Sequence, residues 1–154
     1  MTTPIDATTP QLDATSIARM PRDQLDKLFR SSPPGPIPAG KSRGTAILFP
    51  GSPVDGLVQG LVRALVWKGK VFSPQTRDLL NRIGPFGTLL IRARVYQDQS
   101  WFANAPAIIL DYSTTSLVAR GVRDEIRQVG PGLYLGQIYL GKRRIGLFML
   151  EFPR

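Results

Sequence analysis

The chain has 154 residues, enough for one domain with a real core, and its 42% hydrophobic and 20% charged content is ordinary for a globular protein. It contains neither cysteine nor histidine, which excludes disulfides, thiol nucleophiles, iron–sulfur clusters, Ser-His-Asp chemistry and imidazole-bound metal from within the chain. The net charge of +9 favours anionic partners, but only Lys142-Arg143-Arg144 forms a basic run, so the surplus reads as a solvated surface and no specific nucleic-acid partner is expected.

Residues 1 to about 18 are rich in Thr, Pro and Asp and are expected to be a disordered tail, with a single domain over 19–154. The start lacks a basic region followed by an apolar core, so no secretory signal is read there. The longest apolar candidate, Leu57 to Val66, is interrupted by Gln59, Gly60 and Arg63, so no transmembrane segment is expected and a soluble cytoplasmic protein is the default. Pro21 stands at a first helical turn and Leu25, Leu28 and Phe29 give an apolar stripe, predicting a helical cap from Pro21 to Arg30. The proline-rich stretch Ser31 to Gly40 is an extended connector.

Thr45 to Phe49 reads as a strand, and Ser52-Pro53-Val54-Asp55 opens a helix carried by Leu57, Val58, Leu61, Val62 and Leu65 through Val66. Trp67 to Phe72 is a strand with Trp67 and Val71 on one face and Lys68, Lys70 and Phe72 on the other. Ser73-Pro74 is a cap-and-proline start, predicting a short helix through Leu79, Leu80 and Ile83. Thr88 to Tyr96 is a strand with Leu89, Ile91, Ala93 and Val95 on one face and Leu90, Arg92, Arg94 and Tyr96 on the other. Ala107 to Tyr112 is a further strand. Leu117 to Val129 fits a helical stripe or a strand, and the Gly-Pro-Gly turn directly after it favours a strand over Val122 to Val129.

The closing stretch is the clearest. Gly130-Pro131-Gly132 turns the chain, Leu133 to Leu140 runs out, and Gly141-Lys142-Arg143 turns it back into Ile145 to Phe152. The whole predicts a mainly β fold, a small antiparallel β-meander barrel with two or three short helices.

Candidate site residues follow from these faces. Arg92, Arg94 and Tyr96 either clamp a carboxylate or phosphate in a barrel lumen or show the polar side of a half-solvated strand to water. Asp111 and Tyr112 are a candidate proton-transfer pair, or turn residues before Ser-Thr-Thr. In a strand, Arg123, Glu125 and Arg127 form a same-face, solvated ion-pair row, which leaves Asp124 inward among Val122 and Ile126. Such an acid needs a partner, and an arginine such as Arg94 is the candidate. Trp67, Tyr134 and Tyr139 are candidate ligand contacts. The two tyrosines are five positions apart, so a regular strand turns them to opposite sides.

Gly40-Lys41-Ser42-Arg43-Gly44, Pro50-Gly51, Pro53, Asp55-Gly56-Leu57 and Trp67-Lys68-Gly69-Lys70-Val71-Phe72 stand in an order that resembles the small bacterial family named for its Gly-x-Trp-x-Gly motif, which carries a C-terminal domain of unknown function. Arg92-Ala93-Arg94-Val95-Tyr96, Asp111, Asp124-Glu125-Ile126-Arg127-Gln128-Val129 and Leu135-Gly136 extend the likeness, with Ser42 where the motif has tryptophan. The resemblance implies a calycin-like barrel, the shape shared with lipocalins, and carries no established reaction.

The expected function is therefore binding of a small hydrophobic, anionic ligand inside a β barrel, without cofactor or metal. A homodimer is one assembly the sequence allows. The alternative is a cofactor-independent isomerase, cyclase or lyase using Asp111, Asp124 and Tyr112 on a hydrophobic metabolite. Its mark is one of those acids sitting in a cavity, desolvated, beside a tyrosine.

Overall fold

The computed structural model describes residues 12–48 and 67–153. The helix expected over Ser52 to Val66, the strand end at Phe49 and the first part of the expected N-terminal tail lie outside the described residues. Two short helices come first among these: α1 (Ala14–Ala18) and α2 (Arg22–Ser31). Asp13 caps α1 reciprocally with Ser16, each side chain taking the other's backbone N–H (2.7 and 3.1 Å). The described end of the expected tail is thus helical, and it buries Ile17. In α2, Leu25 and Phe29 lie one turn apart and are both buried.

The strands follow: β1 (Gly40–Lys41), β2 (Arg43–Leu48), β3 (Trp67–Ser73), β4 (Asp78–Ile83), β5 (Thr88–Gln99), β6 (Pro106–Asp111), β7 (Val122–Gly130), β8 (Leu133–Leu140) and β9 (Arg143–Glu151). They form one antiparallel nine-stranded sheet in the order β1-β3-β4-β5-β6-β7-β8-β9-β2. From β3 to β9 this is a meander in which each strand pairs with the next in sequence. The sheet curls because β1 and β2 are halves of one extended stretch: β1 pairs with β3 at one edge and β2 with β9 at the other. Ser42, between them, ties the seam to Lys70. Its N–H donates to the Lys70 carbonyl at 2.9 Å, and its hydroxyl accepts the Lys70 N–H at 3.0 Å. The result is a small, nearly closed β barrel, which leaves few of the open sheet edges that invite aggregation.

The segment after Ser73 corrects the sequence reading. It is a turn into β4, not a helix. Leu79, Asn81 and Ile83 alternate inward with Leu80 and Arg82 between them, and adjacent Leu79-Leu80 mimics a helical stripe only because the neighbouring strands half-bury both faces. Arg77, at φ 54°, closes the turn in the left-handed region. Of the segment that fitted helix or strand, Val122–Gly130 is strand β7, as favoured, and 117–121 belong to the connection before it.

A β bulge between Trp67 and Gly69 corrects a second detail. It resets the alternation so that Trp67 packs against the same interior as Phe72, whereas regular alternation turns them to opposite faces.

Two cores share the sheet. Inside the barrel lie Phe72, Leu79, Ala93, Val95, Ile108, Leu110, Tyr112, Ile126, Tyr134, Phe148, Leu150 and Phe152. Gly136 is required here, because a Cβ at that position would overlap the ring of Phe148, its cross-strand partner on β9. On the outside, Leu133, Leu135, Leu147 and Met149 of β8 and β9 pack against Ile17, Leu25 and Phe29 of the helices. Each such fully buried side chain contributes about 1.5–3 kcal/mol of transfer free energy.

That outer layer overturns the solvated ion-pair row expected at Arg123, Glu125 and Arg127. Glu125 and Arg127 are buried, because helix α2 and the loop before β6 cover that face. Arg127 donates to the carbonyls of Phe29, Arg30 and Ser32 at the C-terminus of α2 (3.3, 3.2 and 2.8 Å) and to that of Pro106 (2.8 Å). Phe29 also accepts the Ser32 N–H at 3.4 Å, and such helix-end carbonyls lack the full set of intrahelical donors and carry the negative end of the dipole. Glu125 accepts from Ser100 Oγ, from the Trp101 N–H (2.9 Å) and from Arg123 (2.7 Å). No helix among the described residues is long and apolar enough to cross a membrane.

Candidate functional site

Inward-facing polar residues are rare in this barrel, and they converge. Lys70 of β3, Asn81 of β4, Tyr112 just after β6 and Asp124 of β7 meet in the interior, each nearly inaccessible to water. Lys70 Nζ uses its three donors on Asp124 Oδ2 (3.2 Å), Tyr112 Oη (2.6 Å) and Asn81 Oδ1 (2.8 Å). Asn81 spends its amide on four partners. Its Oδ1 also accepts the Trp67 indole N–H (3.0 Å), and its Nδ2 donates to Tyr112 Oη (3.0 Å) and to the Ile91 carbonyl (2.8 Å). Ile91 stands at φ 57° where the β4–β5 register slips, so Asn81 holds a strained, β-branched residue in place. The Trp67, Tyr112 and Phe148 rings surround the ammonium with centroids 5.3–5.4 Å away.

Tyr112 Oη receives two donors and turns its own proton toward Asp124 Oδ2, 3.5 Å away. Asp124 Oδ1 is buried without a hydrogen-bond partner. Burial pushes the Asp124 carboxyl above the usual carboxylate range, with Lys70 and Tyr112 pulling partly back. Burial also raises the Tyr112 phenol. For Lys70 burial opposes the charge, but the negative charges that Tyr112 and Asp124 can carry outweigh it and hold the ammonium above the usual lysine range. The cluster is an acid, a phenol and a cation in one dry environment, the group of functions needed to move a proton and steady an oxyanion.

The cluster sits among the core side chains of the barrel and lines neither of the grooves described next. Space opens instead along the seam, where β2 leaves β3. A groove of about 660 Å³ is lined by Lys41, Arg43, Gly44, Trp67, Lys68, Arg82, Glu151 and Phe152, among others. Gly44 lets the Trp67 ring lie against the backbone, since a Cβ there would strike it. Arg82 donates to the Ser42 carbonyl at 2.9 Å. Trp67 therefore has one edge on the groove and its indole N–H on the buried cluster.

The other sequence candidates fall elsewhere. Arg92, Arg94 and Tyr96 lie on the outside of the barrel rather than in its lumen, because the inward positions of β5 are Ile91, Ala93 and Val95. They line a second surface groove of about 340 Å³ with Arg77, and Arg92 pairs there with Asp78 (2.9 Å). Asp111 also faces outward, accepting from Tyr96 Oη and the Ser113 N–H (both 2.9 Å). Although burial works against it, these bonds and Arg94 leave its carboxyl below the usual range. Asp111 and Tyr112, adjacent in sequence, thus point to opposite sides. Tyr134 faces inward and donates to the Pro36 carbonyl (2.7 Å), whereas Tyr139 faces outward, edge-on to Trp101. The partner of Asp124 is Lys70, not Arg94.

Sequence reasoning missed Lys70 and Asn81. Both carried a signal: Asn81 sits at strand spacing between Leu79 and Ile83, and Lys70 shares a face with Phe72. Reading Leu79 to Ile83 as helix hid the first. Among the described residues no group of three or more carboxylates is placed to hold a metal ion.

No protein-family model matches the sequence, and no curated protein matches it. The structure is similar to the crystal structure of a protein from Thermomonospora curvata, with 22% identity and a TM-score of 0.61 over 88% of this chain and 89% of that one. At that identity the likeness speaks to the fold alone.

Proposed function

We propose that the barrel binds a small, largely apolar molecule with an anionic group, seated in the seam groove against Trp67. The observation that supports this most is the groove itself. Its volume of about 660 Å³ falls in the range of small-molecule sites. Lys41, Arg43, Lys68 and Arg82 outnumber the single carboxylate of Glu151, and Trp67 and Phe152 offer apolar surface. The ligand class expected from the sequence is kept, while its place moves from the lumen to the seam.

The test is fluorescence titration with decanoate of a Trp101→Phe variant, in which Trp67 is the remaining tryptophan of the two. A saturable change that weakens with salt, and by about tenfold or more in Arg43→Gln/Lys68→Gln, is expected from loss of two charge-assisted contacts. No saturable signal, together with no adduct in native mass spectrometry, would refute the reading.

Asp124, desolvated beside Tyr112, supports a second reading, a cofactor-independent acid–base enzyme in which the barrel must open for a substrate to reach the cluster. Its carboxylate would take a proton from carbon α to a carbonyl and return it to another carbon, while the Tyr112 hydroxyl donates to the enolate oxygen. Incorporation of solvent deuterium into small enolisable ketones checks this. Exchange is expected to be faster with the native chain than with Asp124→Asn, and equal rates for both, matching buffer alone, sink it.

A further inference from the structure

Phe86, Leu89, Leu90, Leu117, Val118 and Leu140 are large apolar side chains left exposed, with Phe86 at 93%, Leu117 at 88% and Val118 at 86%. The topology brings all six to one end of the barrel. Phe86 is in the turn between β4 and β5, Leu89 and Leu90 begin β5, Leu117 and Val118 are in the connection from β6 to β7, and Leu140 ends β8. These pieces are joined. Thr115 Oγ1 donates to the Arg92 carbonyl, pinning the β6–β7 connection to β5, and the Gly141 N–H donates to the Gly121 carbonyl (2.8 Å), pinning it to the β8–β9 turn.

Solvated loops are ordinarily polar, and an apolar rim of this extent marks an interaction surface. Its charge is one-sided. Lys68, Arg82, Arg120, Lys142 and Arg143 stand at the same end, and Lys68 Nζ donates to the Pro85 carbonyl (2.7 Å) directly beside Phe86. Carboxylates near that end are engaged or buried: Asp26 pairs with Arg144 (2.7 Å), Asp111 accepts from Tyr96 and Ser113, and Asp124 is buried with Lys70. Apolar side chains projecting beyond a basic collar match a bilayer interface, where the former enter the acyl boundary and the latter meet anionic headgroups.

We propose that this end of the barrel docks on an anionic lipid bilayer. The surface is separate from the seam groove in the residues that test it. Co-sedimentation is measured with phosphatidylcholine vesicles and with mixed phosphatidylcholine–phosphatidylserine vesicles. Binding to the mixed vesicles that weakens with salt is expected, falling about fivefold for each charge removed in Lys142→Gln and Arg143→Gln. The Phe86→Ser/Leu117→Ser/Val118→Ser variant, altered where nothing is buried, is expected to lose vesicle binding while its melting temperature and decanoate titration stay as in the parent. Three results would overturn the proposal: no binding to mixed vesicles, binding unchanged in the triple variant, or a rim-dependent dimer or DNA complex in place of lipid binding.

Discussion

Lys70 and Asp124 form an ion pair of 3.2 Å inside the barrel, and Asp124 still has one oxygen without a partner. Two buried charges are expensive to desolvate, and their attraction repays this fully only when every donor and acceptor is met. Lys70 meets all three of its donors, whereas Asp124 does not complete its set. The pair is therefore better placed for use than for stability.

Removing the cation alone strands the acid. Lys70→Met is expected to destabilise the fold by about 3–5 kcal/mol, whereas Lys70→Met/Asp124→Leu is expected to recover most of that loss. Urea denaturation of the native chain, both single variants and the double variant closes the cycle. A loss in the double variant equal to the sum of the two single-variant losses would mean the charges are not coupled.

The raised Asp124 carboxyl sets a direction for pH dependence. The folded chain keeps the proton at pH values where the unfolded chain, with the ordinary value of 3.8, has released it. Stability attributable to this group is therefore full below about 3.8 and declines as pH rises through the raised folded value. In Lys70→Met the cation that opposes the shift is gone, so this variant is expected to be more stable near pH 4 than near pH 8, relative to Asp124→Asn as the untitratable control. Parallel stability profiles for Lys70→Met and Asp124→Asn would contradict the assignment.

Arg127 joins helix α2 to the barrel wall through the Phe29, Arg30 and Ser32 carbonyls. Arg127→Ala removes the guanidinium donors from those carbonyls, leaving Phe29 with the Ser32 N–H alone, and is expected to cost about 1–3 kcal/mol. Hydrogen exchange should speed up first in Arg22–Ser31, and uniform acceleration across the sheet would argue against a local tether.

Gly136→Ala places a methyl group where the Phe148 ring lies. Overpacking of this kind is expected to cost about 1–3 kcal/mol. The displaced ring borders both Trp67 and Lys70, so Trp67 fluorescence should change as well. An unchanged emission spectrum would show that the ring moves elsewhere.

Much of the barrel was legible in the residues. Leu133–Leu140 and its return strand carry glycine-marked turns at both ends, and β5 and β6 show period-2 patterning, so local chemistry alone determined a β meander. Helix α2 was equally plain from Pro21, Leu25 and Phe29. The same pattern put Asp124 on the inward face of β7 and separated Tyr134 from Tyr139, because alternation is a property of the strand itself.

What required the tertiary structure was everything set by pairing across the sheet. A bulge at Trp67 rotated one residue into the company of Lys70, and no period read along one strand announces where a register slips. Lys70 and Asp124 are far apart in sequence and meet only because the sheet curls until β3 and β7 share a lumen. The burial of Glu125 and Arg127 was decided by what packs outside them, not by their own pattern. A sequence states which way each side chain points; closure of the barrel decides what it finds there.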